Sequence, residues 1–128
     1  MLNSSQYIPG VCNIGTEERI LRRRSGYVSL LASFIIILII SITKADHIFK
    51  FVLFFPVFGT LISFIQDRLH FCAAFGLQGL YNFSKVILKS NRIQENKYLI
   101  EDRKKAIKII IYSLLLSILI TAVLYLFL

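Results

Sequence analysis

"SGYVSLLASFIIILIISIT", residues 25–43, contains no charged side chain and is dominated by aliphatic residues. Two further uncharged stretches follow it, "FVLFFPVFGTLISFIQ" at 51–66 and "IIIYSLLLSILITAVLYLFL" at 109–128. A helix needs about 20 mostly apolar residues to cross a bilayer. The first and third stretches have that length, and the second reaches it over 47–66 if the Lys50 ammonium snorkels to the headgroups. The pattern predicts an all-α integral membrane protein with three transmembrane helices in a lipid bilayer.

The fifteen lysines and arginines are unevenly distributed around these stretches. Four precede the first stretch, two lie between the first and second, nine lie between the second and third, and none follows the third. Cytoplasmic loops of membrane proteins are enriched in Lys and Arg. The distribution predicts a cytoplasmic N terminus and an outer C terminus, and the Lys- and Ile-rich composition suits a low-GC bacterium. Because the charges flank the apolar stretches, the net charge of +8 does not predict a nucleic-acid partner.

The uncharged segment "LHFCAAFGLQGLYNFS", residues 69–84, is a candidate fourth span. A fourth span would move the basic residues from Lys85 to Lys108 to the outer side, against the positive-inside rule. Polar and small residues also recur in it at a spacing of four, which is typical of an amphipathic helix. We therefore predict an interfacial amphipathic helix over 69–88, or a short re-entrant piece, and three spans.

The remaining segments complete a single membrane domain without internal repeats. Pro9, Gly10 and Gly15 predict a cytoplasmic turn or loop over 1–16. Thr16 is a candidate N-cap for a helix over 17–43 that contains the first span. The absence of Gly and Pro after Gly79 predicts one long helix over 91–128, whose charged first part extends the third span into the cytoplasm.

A candidate polar site lies where the cytoplasmic ends of the first two spans should meet. These spans are joined by a short outer loop, so they should be antiparallel neighbours. Because the cytoplasm is reducing, a structural disulfide is not expected. The candidate residues come from both sides of this meeting point: Cys12, Asn13, Glu18, Arg22, Arg23, Asp67, Arg68, His70 and Cys72.

Three interpretations of this set remain open. In the first, the arginines anchor the protein to anionic headgroups and Cys72 belongs to a small-residue packing face. In the second, Cys12, His70 and Cys72 bind a soft metal or perform thiol redox chemistry. In the third, Arg22, Arg23 and Arg68 bind an anion or a lipid headgroup.

The Pro-Gly-x-Cys-Asn-x-Gly turn at 9–15, the Arg-rich approach to the first span and "RLHFCAAFGLQGLYNF" at 68–83 resemble a set of small, uncharacterised, multi-pass bacterial inner-membrane proteins. The resemblance covers residues 9–24 and 68–83. It does not identify an activity or a cofactor. It implies that Cys12, the arginines, His70 and Cys72 belong to one site.

The sequence favours a small membrane accessory or interaction protein over an enzyme, with a cytoplasmic polar site whose ligand it does not identify. A homo-oligomer or a larger membrane complex is expected, because three spans bury little of their own surface. We also predict that "PGVCNIG", residues 9–15, folds back under the bundle and brings Cys12 to His70 and Cys72. The competing prediction is a disordered tail.

Overall fold

The computed structural model describes residues 7–84 and 91–128, which form helices and one pair of very short strands. The elements in chain order are α1 (Thr16–Thr43), α2 (His47–Lys50), a 3₁₀ turn (Phe51–Leu53), α3 (Phe54–Leu69), α4 (Ala73–Gln78), β1 (Leu80–Tyr81), β2 (Asn91–Arg92) and α5 (Asn96–Phe127).

Three helical segments are long and apolar enough to cross a membrane: Thr16–Thr43, His47–Leu69 and Asn96–Phe127. Of their most apolar stretches, only 17%, 28% and 22% is buried within the protein. Large aliphatic and aromatic side chains therefore form most of the surface of these helices. Such a surface is stable in lipid or against another apolar partner, and it supports the predicted membrane class.

The second of these segments lies in the middle of the bundle, because α3 packs against both α1 and α5. Small residues allow the close approach. The Gly26 backbone in α1 lies against the Phe64 ring, and Gly59 in α3 lies against the Ser29 hydroxyl. The buried residues of α5 are also small over its uncharged part, where Ser113, Ser117 and Thr121 lie inside.

The helix ends have identifiable causes. The N-cap of α1 is Gly15, so Thr16 is its first residue and not the predicted cap. Glu17 and Glu18 occupy the first turn, where the helix dipole favours carboxylates. At the same end of the bundle, α3 stops at Leu69 because His70 adopts a left-handed conformation with a φ of 55°.

The predicted single amphipathic helix over 69–88 is wrong, because only Leu69 and α4 are helical within its described part. Two left-handed residues interrupt it, His70 before α4 and Gly79, with a φ of 73°, after it. Beyond Gly79 the chain is extended, and Leu80 and Tyr81 pair antiparallel with Arg92 and Asn91. Residues 85–88 of the predicted helix lie outside the described residues.

The long last helix begins later than predicted. Residues 91 and 92 do not belong to it, because Asn91 and Arg92 form β2, and the Ile93 N–H donates to the Gly79 carbonyl at 2.9 Å. Glu95 occupies the cap position and α5 then continues without a break. Its charged first part does extend the apolar part, as the sequence predicts.

Candidate functional site at the basic end

We call the "basic end" the end of the bundle where α1 begins, α3 ends and the charged part of α5 lies. Most of the largest fully buried side chains among the described residues lie here. One apolar cluster contains Phe71, Ala73, Ala106 and Ile109, and a second contains Ile14, Cys72 and Phe75. Four fully buried polar side chains lie at the same end: Asn13, Glu18, Asn82 and Asp102.

The N-terminal segment enters this end through a tight turn. Ile8 and Cys12 exchange two backbone hydrogen bonds, each 3.0 Å long, around the Pro9–Gly10 pair. Gly10 has a φ of 69°, which is the conformation that glycine adopts most easily. The turn directs the following residues, Asn13 and Ile14, beneath the helix ends.

Asn13 joins this segment to the connection between α3 and α4. Its backbone N–H donates to the His70 carbonyl at 3.1 Å. Its side-chain amide pairs with the backbone of Cys72: the Cys72 N–H donates to Oδ1 at 2.7 Å, and Nδ2 donates to the Cys72 carbonyl at 3.1 Å. The buried amide therefore acts like a peptide group of a neighbouring strand.

Asn82 joins the same segment from the other side. The Asn82 N–H donates to the Asn13 carbonyl at 2.9 Å, and the Gly15 N–H donates to the Asn82 carbonyl at 2.8 Å. The Asn82 Nδ2 donates to Glu18 Oε1 at 2.9 Å. Asn82 is fully buried and lies outside any helix, although it belongs to the segment predicted as an interfacial helix.

Glu18 and Arg22 form an ion pair at the centre of the basic end. The Glu18 carboxylate is fully buried and accepts from Arg22 Nη1 one turn further along α1. Arg22 Nη2 also donates to Cys72 Sγ at 2.9 Å, and the guanidinium lies 5.8 Å from the centre of the Phe75 ring. A buried charge is tolerated when it is paired and bonded in this way.

Two more arginines meet Asp67 at the edge of this network. Arg23 Nε donates to Asp67 Oδ2 at 3.0 Å. Arg19 Nε donates to the Asp67 backbone carbonyl at 3.0 Å and lies 3.4 Å from Oδ1. Arg68 is exposed and takes no part in the network among the described residues.

Asp102 in α5 anchors the N-terminal turn. Its two carboxylate oxygens accept from the Tyr7 hydroxyl at 2.8 Å and from the Gly10 N–H at 2.7 Å. Burial, and then the hydrogen bond to Asp102, raise the pKa of Tyr7. The Tyr7 ring also stacks on Tyr81 at 4.9 Å between ring centres. The N-terminal segment is thus fixed to all three long helices.

The two thiols have charged neighbours on different helices. Both cysteines are buried and they form no disulfide. Burial is the main cause that raises the pKa of the Cys12 thiol. The charged groups that act on this thiol are Asp102 and Lys105, which both belong to α5. Cys72 instead accepts from Arg22 of α1. The predicted fold-back of residues 9–15 brings the backbone of this turn to His70 and Cys72, and a site shared by the two thiols stays a prediction.

His70 does not complete a metal site. Burial, followed by the charge of Arg19, lowers its pKa, and its buried Nδ1 has no hydrogen-bond partner among the described residues. Over residues 7–84 and 91–128, no three His, Cys, Asp or Glu side chains are arranged to hold a metal ion. The structure therefore does not support a metal bound by Cys12, His70 and Cys72.

The structure joins four of the nine sequence candidates directly: Asn13, Glu18, Arg22 and Cys72. Arg23 and Asp67 adjoin this group, and Arg68 lies apart from it. The sequence analysis missed Tyr7, Asn82 and Asp102. Asp102 carried a usable signal, because it shares the helical spacing of the buried residues Ala106, Ile109 and Ser113.

Comparison with known protein families, with curated proteins and with solved structures finds no match to this chain.

Proposed function

We propose that the chain is a small membrane accessory or interaction protein, in which the polar network of the basic end is a structural cap that holds three spans together. One observation carries the proposal: Asn13, Glu18 and Asn82 are fully buried, and each is bonded to other parts of the protein. A reaction centre needs polar groups that remain available to a substrate. A network satisfied in this way supports stability and a unique arrangement of helices.

The proposed orientation places the basic end in the cytoplasm of a bacterial cell and the C-terminal end of α5 on the outer side of the inner membrane. The distribution of Lys and Arg along the sequence supports it. The cap would then lie in the interfacial layer, where charge-assisted hydrogen bonds such as Arg23–Asp67 are less screened than in bulk water.

Thiol chemistry and anion binding by the arginines receive less support. Cys72 is only 2% exposed, and its sulfur already accepts a hydrogen bond from Arg22. An oxidant or a thiol substrate would have to displace that contact. Arg22 and Arg23 are paired with carboxylates, so an anion would compete with Glu18 and Asp67 for the guanidinium groups.

The surface proposed to meet a partner is the charged part of α5. Ile100 and Ile107 are 53% and 48% exposed there, outside the uncharged stretch of the helix. They lie seven residues apart and therefore on the same helix face. Exposed isoleucines between charged residues, on a helix that projects from the bilayer, are suited to contact with another protein, whether a second copy or a different one.

Photocrosslinking in living cells tests this function. A photoreactive phenylalanine derivative at Ile100 or Ile107 should give discrete protein adducts, identified by mass spectrometry. Leu115, exposed in the uncharged part of α5, is the matched control position and should give mainly lipid adducts. Protein adducts from Leu115 but not from Ile100 or Ile107 would contradict the proposed surface.

The structural role of the cap needs a separate measurement. Alkylation of Cys12 and Cys72 by a small maleimide should be slow in the folded protein and fast after denaturation. Fast alkylation of Cys72 in the folded protein would contradict the closed cap and would favour thiol chemistry.

A further inference from the structure

A basic groove outside the polar network has no role in the function proposed above. It is a cavity of about 330 Å³ between the N-terminal turn and α5, lined by Pro9, Gly10, Glu101, Lys104, Lys105 and Lys108. The four α5 residues lie at spacings of three and four, so they share one face of the helix. Three ammonium groups and one carboxylate give the groove a net positive charge.

The walls of the groove are fixed by the fold. The Gly10 N–H is bonded to Asp102, which holds the turn against α5. A Cβ at residue 10 would lie 3.4 Å from the Glu101 Cβ, so the turn is in contact with α5, and the positive φ of residue 10 favours glycine there. On the opposite wall, the Lys105 ammonium lies 5.8 Å from the centre of the Phe71 ring, a cation–π distance that orients the side chain.

The position of the groove along α5 indicates its ligand. Lys108 is the last charged residue before the uncharged stretch 109–128. On the same side of the helix, Ile111, Tyr112 and Leu115 are exposed within that stretch. A phosphate bound between the lysines would lie at the headgroup level, and attached acyl chains would continue along this apolar face.

We propose that the groove binds the phosphate of an anionic phospholipid headgroup. Lys104, Lys105 and Lys108 supply the charge, and the turn at Pro9–Gly10 closes one side of the headgroup site. Juxtamembrane lysines attract anionic lipids even without a site. The proposal is distinguished from this general attraction by its dependence on three specific lysines.

The test is titration of the purified full chain in a neutral detergent with dioleoylphosphatidylglycerol, followed by native mass spectrometry. Dioleoylphosphatidylcholine is the uncharged reference lipid. The variant K104Q/K105Q/K108Q should lose on the order of tenfold or more in affinity for phosphatidylglycerol, since each interfacial lysine contributes substantially to such binding. The variant K104R/K105R/K108R keeps the charges and should retain most of the affinity.

The matched control is R24Q/R92Q/K97Q, which removes three exposed positive charges outside the groove. It should change the affinity by less than about twofold. Equal losses in the control and the groove variant would overturn the proposal in favour of diffuse attraction. Glycerol 3-phosphate should not displace the lipid; full displacement would overturn the lipid assignment and indicate a soluble phosphate ligand.

Discussion

At the scale of single residues, Asn13 explains why the N-terminal segment is ordered. Its side chain replaces a peptide group opposite Cys72, and its backbone bonds to His70 and Asn82. Four connections through one buried residue fix an extended segment that has no helix or sheet of its own. Burying such a residue is stable only because each of these polar groups has a partner.

Arg22 and Arg23 should respond very differently to replacement by lysine. The Arg22 guanidinium uses two nitrogens to reach Glu18 and Cys72, and a single ammonium cannot keep both contacts. Arg22→Lys should lower the free energy of unfolding by about 1–3 kcal/mol. Arg23→Lys, at an exposed pair with Asp67, should change it by less than about 0.5 kcal/mol.

The measurement is thermal or denaturant unfolding of both variants in the same detergent. Membrane orientation should be unchanged in both, because lysine and arginine count equally in the positive-inside rule. Equal stability of the two variants would show that Arg22 contributes only its charge.

His70 should make the stability of the cap depend on pH. Burial and Arg19 hold its pKa below the ordinary value of 6.5, so the folded protein binds fewer protons than the unfolded protein in the interval below 6.5. Stability is then complete above that interval and falls as the pH decreases through 6.5 toward the lower pKa of the folded state. Asp67 opposes the shift but does not cancel it.

His70→Asn is the suitable reference protein, because asparagine tolerates the left-handed backbone and does not titrate. Between about pH 7.5 and about pH 5, the wild type should lose more thermal stability than this variant. Parallel pH curves for the two proteins would exclude His70 as the cause.

At the scale of elements, long uncharged stretches predicted the three spans because their signal is local and extends over about 20 residues. The short elements lacked such a signal. A strand of two residues has no periodicity, and the pairing of Tyr81 with Asn91 depends on the rest of the fold. The spacing of polar residues between His70 and Asn82 suggested one helix. The left-handed conformation of His70 interrupts that helix, and spacing alone cannot predict such a conformation.

Gly76 and Gly59 provide a test of close packing between elements. A Cβ at Gly76 would lie 2.7 Å from the Phe71 ring and 3.0 Å from the Ala106 Cβ, and the latter cannot move without α5. Gly76→Ala should therefore cost about 1–3 kcal/mol. At Gly59 the nearest atom is the rotatable Ser29 hydroxyl at 2.9 Å.

Gly59→Ala should consequently be close to neutral, since alanine also gains up to about 1 kcal/mol of helix propensity. Unfolding of the two variants in detergent gives the comparison. A larger loss for Gly59→Ala than for Gly76→Ala would contradict the tight contact of α4 with α5.

At the scale of the whole molecule, the cap closes one end of an otherwise thin bundle. The contacts that do this join distant parts of the chain: Tyr7 to Asp102, Glu18 to Asn82 and Asn13 to Cys72. The sequence analysis predicted that the N-terminal turn meets the end of the second span, because antiparallel neighbours end at the same face. It treated Asp102 as part of a solvated helix because its partners are more than 90 residues away.

The proposed orientation of the molecule rests on its charges and on three helices that are able to span a membrane. Thirteen of the fifteen lysines and arginines belong by sequence to the segments before the first span and between the second and third. These segments should remain in the cytoplasm, while α5 carries the chain out.

Alkaline phosphatase fused after Leu128 should be active, and green fluorescent protein inserted before Asn96 should fluoresce. The reciprocal fusions, with the reporters exchanged, are the control and should both be silent. Active phosphatase before Asn96 would place the basic groove of Lys104, Lys105 and Lys108 on the outer side and would require a fourth crossing between α3 and α5.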